Sequence, residues 1–209
     1  MYKNKFFFIV FEGIEGTGKS FQIDKLYKNL KLKNLKVIKT REPGGSNTAE
    51  KIRSLIFNKN SNKFDKLTDY FLMLASRNEH VKNTILPAKK KKIIVISDRF
   101  TDSTYAYQVI GKKIDINLNK INNNYILKSL KPNLTIILKS NFKSIKNRLK
   151  KRINKNKFDK LKEGFYLKAQ NAFIKIANKN KKNYYIFDSS ENTKYLETKI
   201  LKLILKKLS

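Results

Sequence analysis

Apolar positions along this chain gather into short runs separated by amphipathic stretches. Residues Lys5 to Phe11 form an apolar run that ends in glycine-rich sequence, and Ser20 to Leu32 then places Phe21, Ile23, Leu26, Tyr27 and Leu30 at helical spacing. The order is strand, loop, helix. Leu35 to Lys39 reads as a second strand, followed by the turn residues Glu42-Pro43-Gly44-Gly45. Ala49 to Phe57 and Leu67 to Leu86 read as helices, the latter closed by Pro87. Ile93 to Ile96, Leu134 to Leu138 and Tyr184 to Phe187 are short apolar runs rich in β-branched or aromatic residues, suited to strands buried on both faces. Five such strands alternating with helices predict an α/β protein with a parallel sheet and right-handed crossovers. The last stretch, Tyr195 to Leu208, is a basic amphipathic helix expected to pack its apolar stripe on that sheet rather than lie on a membrane.

The 209 residues suit one domain spanning 1–209, and 40% hydrophobic against 31% charged residues is a globular balance. Cysteine is absent, so neither a disulfide framework nor a thiolate metal site exists, and a reducing cytoplasmic setting is expected. The longest apolar run, Phe6 to Phe11, is far short of the roughly 20 residues that span a bilayer, so no membrane partner is expected.

A formal charge of +32 invites a nucleic-acid reading. Only six of the 48 basic residues are arginine, however, and the lysines are scattered through nearly every segment. That pattern matches a coding bias of an A+T-rich genome more closely than a groove-reading surface, and no specific nucleic-acid partner is expected.

Gly13-Ile14-Glu15-Gly16-Thr17-Gly18-Lys19-Ser20 fits the phosphate-binding pattern G-x-x-x-x-G-K-S/T without mismatch, after a predicted strand and at the start of a predicted helix. Glycines let backbone N–H groups turn inward around phosphate oxygens. Lys19 can reach the β- and γ-phosphates, Ser20 can ligate magnesium, and the helix N-terminus adds positive potential. A P-loop does not by itself name a reaction. Glu15, a carboxylate inside the loop, is either solvated and incidental or an acceptor for a substrate hydroxyl.

Three clusters fit an anionic acceptor. Arg41 lies just beyond the second predicted strand, Asp98 and Arg99 end the third, and Arg77 sits in the helix between them. Ligands of open α/β sheets bind at such strand ends. In a chain that uses lysine almost everywhere, arginine at these places points to bidentate contacts that lysine cannot make.

Glu12-Gly13-x-Glu15-Gly16-x-Gly18-Lys19-Ser20, Thr40-Arg41-Glu42-Pro43-Gly44-Gly45 and Asp98-Arg99-Phe100-x-x-Ser103-x-x-Ala106-Tyr107-Gln108 together resemble the bacterial thymidylate kinase family in order and spacing. The resemblance implies a P-loop nucleoside monophosphate kinase fold, with a five-stranded parallel sheet flanked by helices and a mobile lid at roughly 148–170. It also implies a cytoplasmic homodimer that phosphorylates dTMP to dTDP with ATP and magnesium in dTTP biosynthesis. By position it gives Gly13 to Ser20 the ATP phosphates, Ser20 and Asp98 the metal, and Arg148 the adenine side. It gives Glu15 the sugar 3′-hydroxyl, Arg41 and Arg99 the dTMP phosphate, and Arg77 the thymine carbonyl edge. Ser103 and Thr104 fall beside the nucleotide, and Tyr107 falls under the deoxyribose, crowding any 2′-hydroxyl. Lys19, Asp98, Arg99, Arg152 and Lys160 are the implied catalytic set. The competing readings are a kinase for another nucleoside monophosphate and a nucleic-acid-stimulated ATPase.

The chain departs from the family pattern in four places. The lid's usual Asp-Arg is Asp159-Lys160, a further arginine position holds Gln170, a commonly acidic position after the fourth strand is Lys139, and Met73 replaces the phenylalanine that stacks on thymine. Lys155, Lys157 or Lys160 is therefore left to supply the lid's charge. A thioether can pack on an aromatic face, which predicts looser base discrimination at Met73. His80 is read as a helix-surface residue.

Overall fold

The computed structural model describes residues 5–58, 64–151, 153, 162–190 and 193–209. Its centre is a parallel sheet of β1 (Phe7–Glu12), β2 (Val37–Arg41), β3 (Ile94–Asp98), β4 (Leu134–Lys139) and β5 (Tyr184–Asp188), in the order β2-β3-β1-β4-β5. β1 pairs on both sides, Phe7 opposite Ile94 and Ile9 opposite Leu134, and all six of its residues are buried. The doubly wound order makes the carboxyl ends of β1, β3 and β2 neighbours. These are the ends that carry Glu12, Asp98 and Arg41.

Helices α1 (Lys19–Leu32) and α9 (Thr193–Leu208) cover one face, where Ile23, Leu26 and Leu30 meet Leu196, Ile200 and Ile204 over Ile9, Phe11 and Ile136. The C-terminal helix thus packs its stripe on the sheet, as its spacing predicts. On the other face, α8 (Glu163–Lys179) buries Tyr166, Ala169 and Phe173 against Ile137 and Tyr107. Among the described residues no helix is long and apolar enough to cross a membrane.

Helices α2 (Asn47–Phe57) and α3 (Lys66–His80) begin with side-chain caps: Ser46 Oγ accepts from Ala49 N at 3.3 Å and Asp65 Oδ1 from Leu67 N at 2.7 Å. The expected stop at Pro87 does not occur. After α3 the chain widens into a π segment, Val81–Ile85, and resumes as α4 (Leu86–Lys90) with Pro87 in its first turn. The restarted helix seats Pro87 where its missing N–H is not needed. A second π segment, Tyr105–Gly111, follows the short helix α5 (Thr101–Thr104). Helices α6 (Ile116–Leu127) and α7 (Phe142–Lys150) complete the frame. Both outer strands shift slightly from their sequence bounds, so Arg41 is the last residue of β2 rather than a residue beyond it.

Candidate active site

A cavity of about 530 Å³ opens at the carboxyl edge of the sheet. Five of the six arginines of the chain line it: Arg41, Arg53, Arg77, Arg99 and Arg148. The sixth, Arg152, and the expected lid residues Lys155, Lys157, Asp159 and Lys160 lie outside the described residues.

The loop from Gly13 to Ser20 forms its floor. Gly13 has φ 139°, and a Cβ there would collide with the Leu138 carbonyl, so only glycine lets the loop run this close to β4. Gly18, at φ 83°, turns the chain into α1. Lys19 Nζ folds back onto the loop, donating to Gly13 O and Ile14 O, both at 2.9 Å, while Thr17 Oγ1 donates to Ile14 O at 2.8 Å. Burial, reinforced by the Arg99 charge, lowers the Lys19 ammonium to about 8. Ser20 Oγ donates to Asp98 Oδ2 at 3.0 Å, and Asp98 Oδ1 is buried without a hydrogen-bond partner.

Glu15 points into the cavity. Its Oε1 accepts from Arg99 Nη2 at 2.7 Å and its Oε2 from the Tyr107 hydroxyl at 2.5 Å. The Arg99 guanidinium lies 5.2 Å from the Tyr107 ring centroid, and Arg99 Nη1 donates to Gly13 O and Ser103 Oγ, each at 3.0 Å. Burial lowers the guanidinium, but the Tyr107 phenol oxygen and then the carboxylates of Glu15, Asp98 and Glu12 hold it above its ordinary value, and burial pushes the Tyr107 phenol up. Arg99 itself has φ 74°, a left-handed backbone that costs a non-glycine residue roughly 1–2 kcal/mol. Glu12 compensates from beneath. Fully buried at the end of β1, it accepts from Phe100 N at 2.8 Å, Ser103 N at 3.2 Å and Ser103 Oγ at 2.6 Å.

Arg77 is only 3% exposed. It donates to Glu42 Oε2 at 2.8 Å, Asn123 Oδ1 at 3.1 Å, Phe100 O at 2.9 Å and Thr104 Oγ1 at 2.8 Å. His80 is not on the helix surface as its sequence context suggested. It is fully buried, with Nδ1 3.0 Å from Glu42 Oε1 and Nε2 2.8 Å from Thr40 Oγ1. The physical reason is spacing: Met73, Arg77 and His80 lie at i, i+4 and i+7 on the α3 face turned to β2. Met73, half-buried, lines the cavity, whereas Phe71 points to solvent at 46% exposed.

Arg41 makes a two-pronged pair with Glu50, Nε to Oε1 at 3.1 Å and Nη2 to Oε2 at 2.9 Å. Arg53, passed over in the sequence, reaches Pro43 O at 2.7 Å and stacks 4.6 Å from the Phe57 ring centroid. The scarcity of arginine that singled out Arg41, Arg77 and Arg99 applies equally to Arg53. Gln108, buried in the second π segment, lines the cavity as well. At the far wall, Arg148 donates to Gly16 O at 3.1 Å and Ser189 O at 2.5 Å, bridging the loop to the end of β5.

Two departures gain an account. Lys139 lies opposite Asp188 in the β4–β5 register and pairs with it at 3.4 Å. Gln170 pairs with the backbone of Ser140, accepting from its N at 3.1 Å and donating to its O at 3.2 Å.

The family model for thymidylate kinase matches residues 11–200. The chain belongs to the thymidylate kinase family. It is 36% identical over 203 residues to a thymidylate kinase from Mycoplasma capricolum, covering 96% of this chain and 95% of that protein. A Mycoplasma genitalium thymidylate kinase is 39% identical over 202 residues, covering 93% and 92%. The crystal structure of thymidylate kinase from Ehrlichia chaffeensis matches with a TM-score of 0.77 and 30% identity, over 96% of this chain and 99% of that one. Phosphorylation of dTMP to dTDP is the family's function.

Proposed function

We propose that this protein transfers the γ-phosphoryl group of ATP to the 5′-phosphate of dTMP, releasing dTDP and ADP on the way to dTTP. The cluster of Glu15, Arg99 and Tyr107 inside a phosphate loop carries this reading. A carboxylate in such a loop repels polyphosphate but suits a sugar hydroxyl. Glu15 accepts the 3′-hydroxyl of dTMP, and the Tyr107 ring lies under the deoxyribose. Arg99 and Arg41 hold the acceptor phosphate, Arg77 and Thr104 take the thymine edge, Met73 packs on the base, and Ser103 lies beside the nucleotide. The N–H groups of the loop and Lys19 hold the donor phosphates, and Arg148 faces the adenine.

In the reaction, an oxygen of the acceptor phosphate bonds to the γ-phosphorus as the bond to the β–γ bridging oxygen breaks. The transition state is loose, so alignment and charge neutralisation carry the rate. Ser20 and Asp98 fit a magnesium ion, because Asp98 Oδ1 is buried without a partner and magnesium uses one or two carboxylates beside phosphate oxygens. Bound there, the ion neutralises developing phosphate charge. Arg152 and Lys160 are proposed to bring further cations to the transferring group.

We read residues 1–209 as one domain acting as a cytoplasmic homodimer. Exposed Leu67 and Phe71 on α3, beside Ile121 and Tyr125 on the adjacent α6, support the dimer.

An assay of ADP release with dTMP, dUMP, dCMP, thymidine and single-stranded DNA tests the reading. Turnover is expected with dTMP above all. Turnover stimulated by DNA, or a preference for thymidine, overturns it.

A further inference from the structure

Because the five strands run parallel, the segments that enter them share one edge of the sheet, opposite the cavity. Lys36 precedes β2, and its carbonyl accepts from Ile94 N at 2.9 Å, placing it beside the run Lys89–Lys92 that enters β3. Lys128 and Lys131 enter β4, and Lys181 and Lys182 enter β5, whose Asn183 carbonyl accepts from Thr135 N at 2.9 Å. Helices α1, α8 and α9 end on the same edge with lysines in or just after their last turns, and Lys5 Nζ reaches the Lys207 carbonyl at 3.4 Å.

Residues 5, 31–36, 89–93, 128–133, 179–183 and 206–209 together hold fifteen lysines and no acidic residue. All but the half-buried Lys5 are exposed, and among the described residues none of the fifteen has an ion-pair partner. Acids collect at the other end, with Glu12, Glu15, Glu42, Glu50, Asp98 and Asp102 around the cavity. Fifteen lysines scattered in sequence therefore meet along one edge of the sheet.

We infer that this lysine edge binds the phosphate backbone of duplex nucleic acid, independently of sequence, with the active-site mouth facing away. The sheet edge is about 20 Å across at the usual strand spacing. A duplex presents roughly twelve charges over that length. The side chains between the lysines favour nucleic acid over a lipid surface. Exposed Asn34, Asn133, Asn180 and Asn183 supply amides for phosphate and sugar contacts, and Leu32 is the one large apolar side chain among these segments that stands open to solvent. These segments carry no aromatic side chain of their own, so the edge suits a backbone rather than splayed single strands.

The test compares two variants of equal charge. One carries Lys36→Gln, Lys90→Gln, Lys92→Gln, Lys131→Gln and Lys182→Gln. The other carries Lys66→Gln, Lys113→Gln, Lys120→Gln, Lys199→Gln and Lys202→Gln, all outside the edge. Fluorescence anisotropy with a short mixed-sequence DNA duplex is read across salt from about 0.05 to 0.2 M. The edge variant is expected to lose roughly tenfold or more in affinity and to lower the salt slope by about four, while the control keeps nearly all of both. dTMP kinase turnover unchanged in both shows that they are folded. Equal losses in the two variants overturn the inference in favour of diffuse charge. Stronger edge-dependent binding to phosphatidylserine vesicles than to the duplex overturns it in favour of a membrane surface.

Discussion

The Ser103 hydroxyl donates to Glu12 Oε2 at 2.6 Å while accepting from Arg99 Nη1 at 3.0 Å, so the buried acid aims the arginine without touching it. Ser103→Ala removes this relay and is expected to lower kcat/KM for dTMP roughly tenfold, mainly through KM, with Ser103→Thr restoring part of the loss. Unaltered steady-state kinetics in Ser103→Ala would show that Arg99 holds its aim by other means.

Burial and the neighbouring Asp102 charge push the Glu12 carboxyl above its ordinary range. The folded state therefore binds the proton more tightly than the unfolded chain, and stability falls as pH rises above the unfolded carboxyl's value of about 4. Glu12→Gln cannot ionise, so its Tm should decline less than that of the parent between about pH 5 and 8. Parallel Tm profiles would contradict the shift.

Lys19 titrates in the opposite sense. Its ammonium is lowered to about 8, so between that pH and the usual lysine value the unfolded chain binds more protons and stability rises with pH. In the same window the free protein loses the charge that meets ATP. ATP affinity measured by calorimetry should fall above about pH 8, and Lys19→Met should flatten the dependence while lowering affinity throughout.

His80 satisfies Glu42 on one side and Thr40 on the other. His80→Phe leaves both without that partner in a buried site and is expected to cost about 1–3 kcal/mol in chemical denaturation. A change inside the error of the measurement would mean that the site readmits water.

Met73 faces the cavity that Phe71 does not reach. Met73→Phe should raise the kcat/KM preference for dTMP over dUMP by several-fold through closer stacking on the base. A ratio no different from that of the parent would make Met73 a core residue only. In the segment outside the described residues, Lys160→Ala is expected to lower kcat more than KM, and an unchanged kcat removes it from the mechanism.

What could be read from the chain beforehand was what is local or rare. Gly13 to Ser20 declares its conformation through its own glycines, and Arg41, Arg77 and Arg99 stand out because lysine is the default cation here. Glu12 and His80 escaped because their work depends on neighbours 88 and 38 residues away, Phe100 and Glu42. Pro87 misled because a π segment restarts the helix just before it, which no pattern of apolar residues announces. The lysine edge was hidden for a further reason. Its members are spread along the chain, and only parallel strand pairing puts them side by side.

In the free protein, Lys19 is already satisfied by two carbonyls of its own loop. Filling the cradle is thus a substitution reaction, in which an incoming ligand has to outbid an internal one. A phosphate oxygen offers Lys19 a charge-assisted hydrogen bond that a neutral carbonyl cannot match, and a triphosphate engages the row of N–H groups along the loop as well. The resting contact is one that binding has to break, so its loss is part of the difference between the empty and the filled cradle.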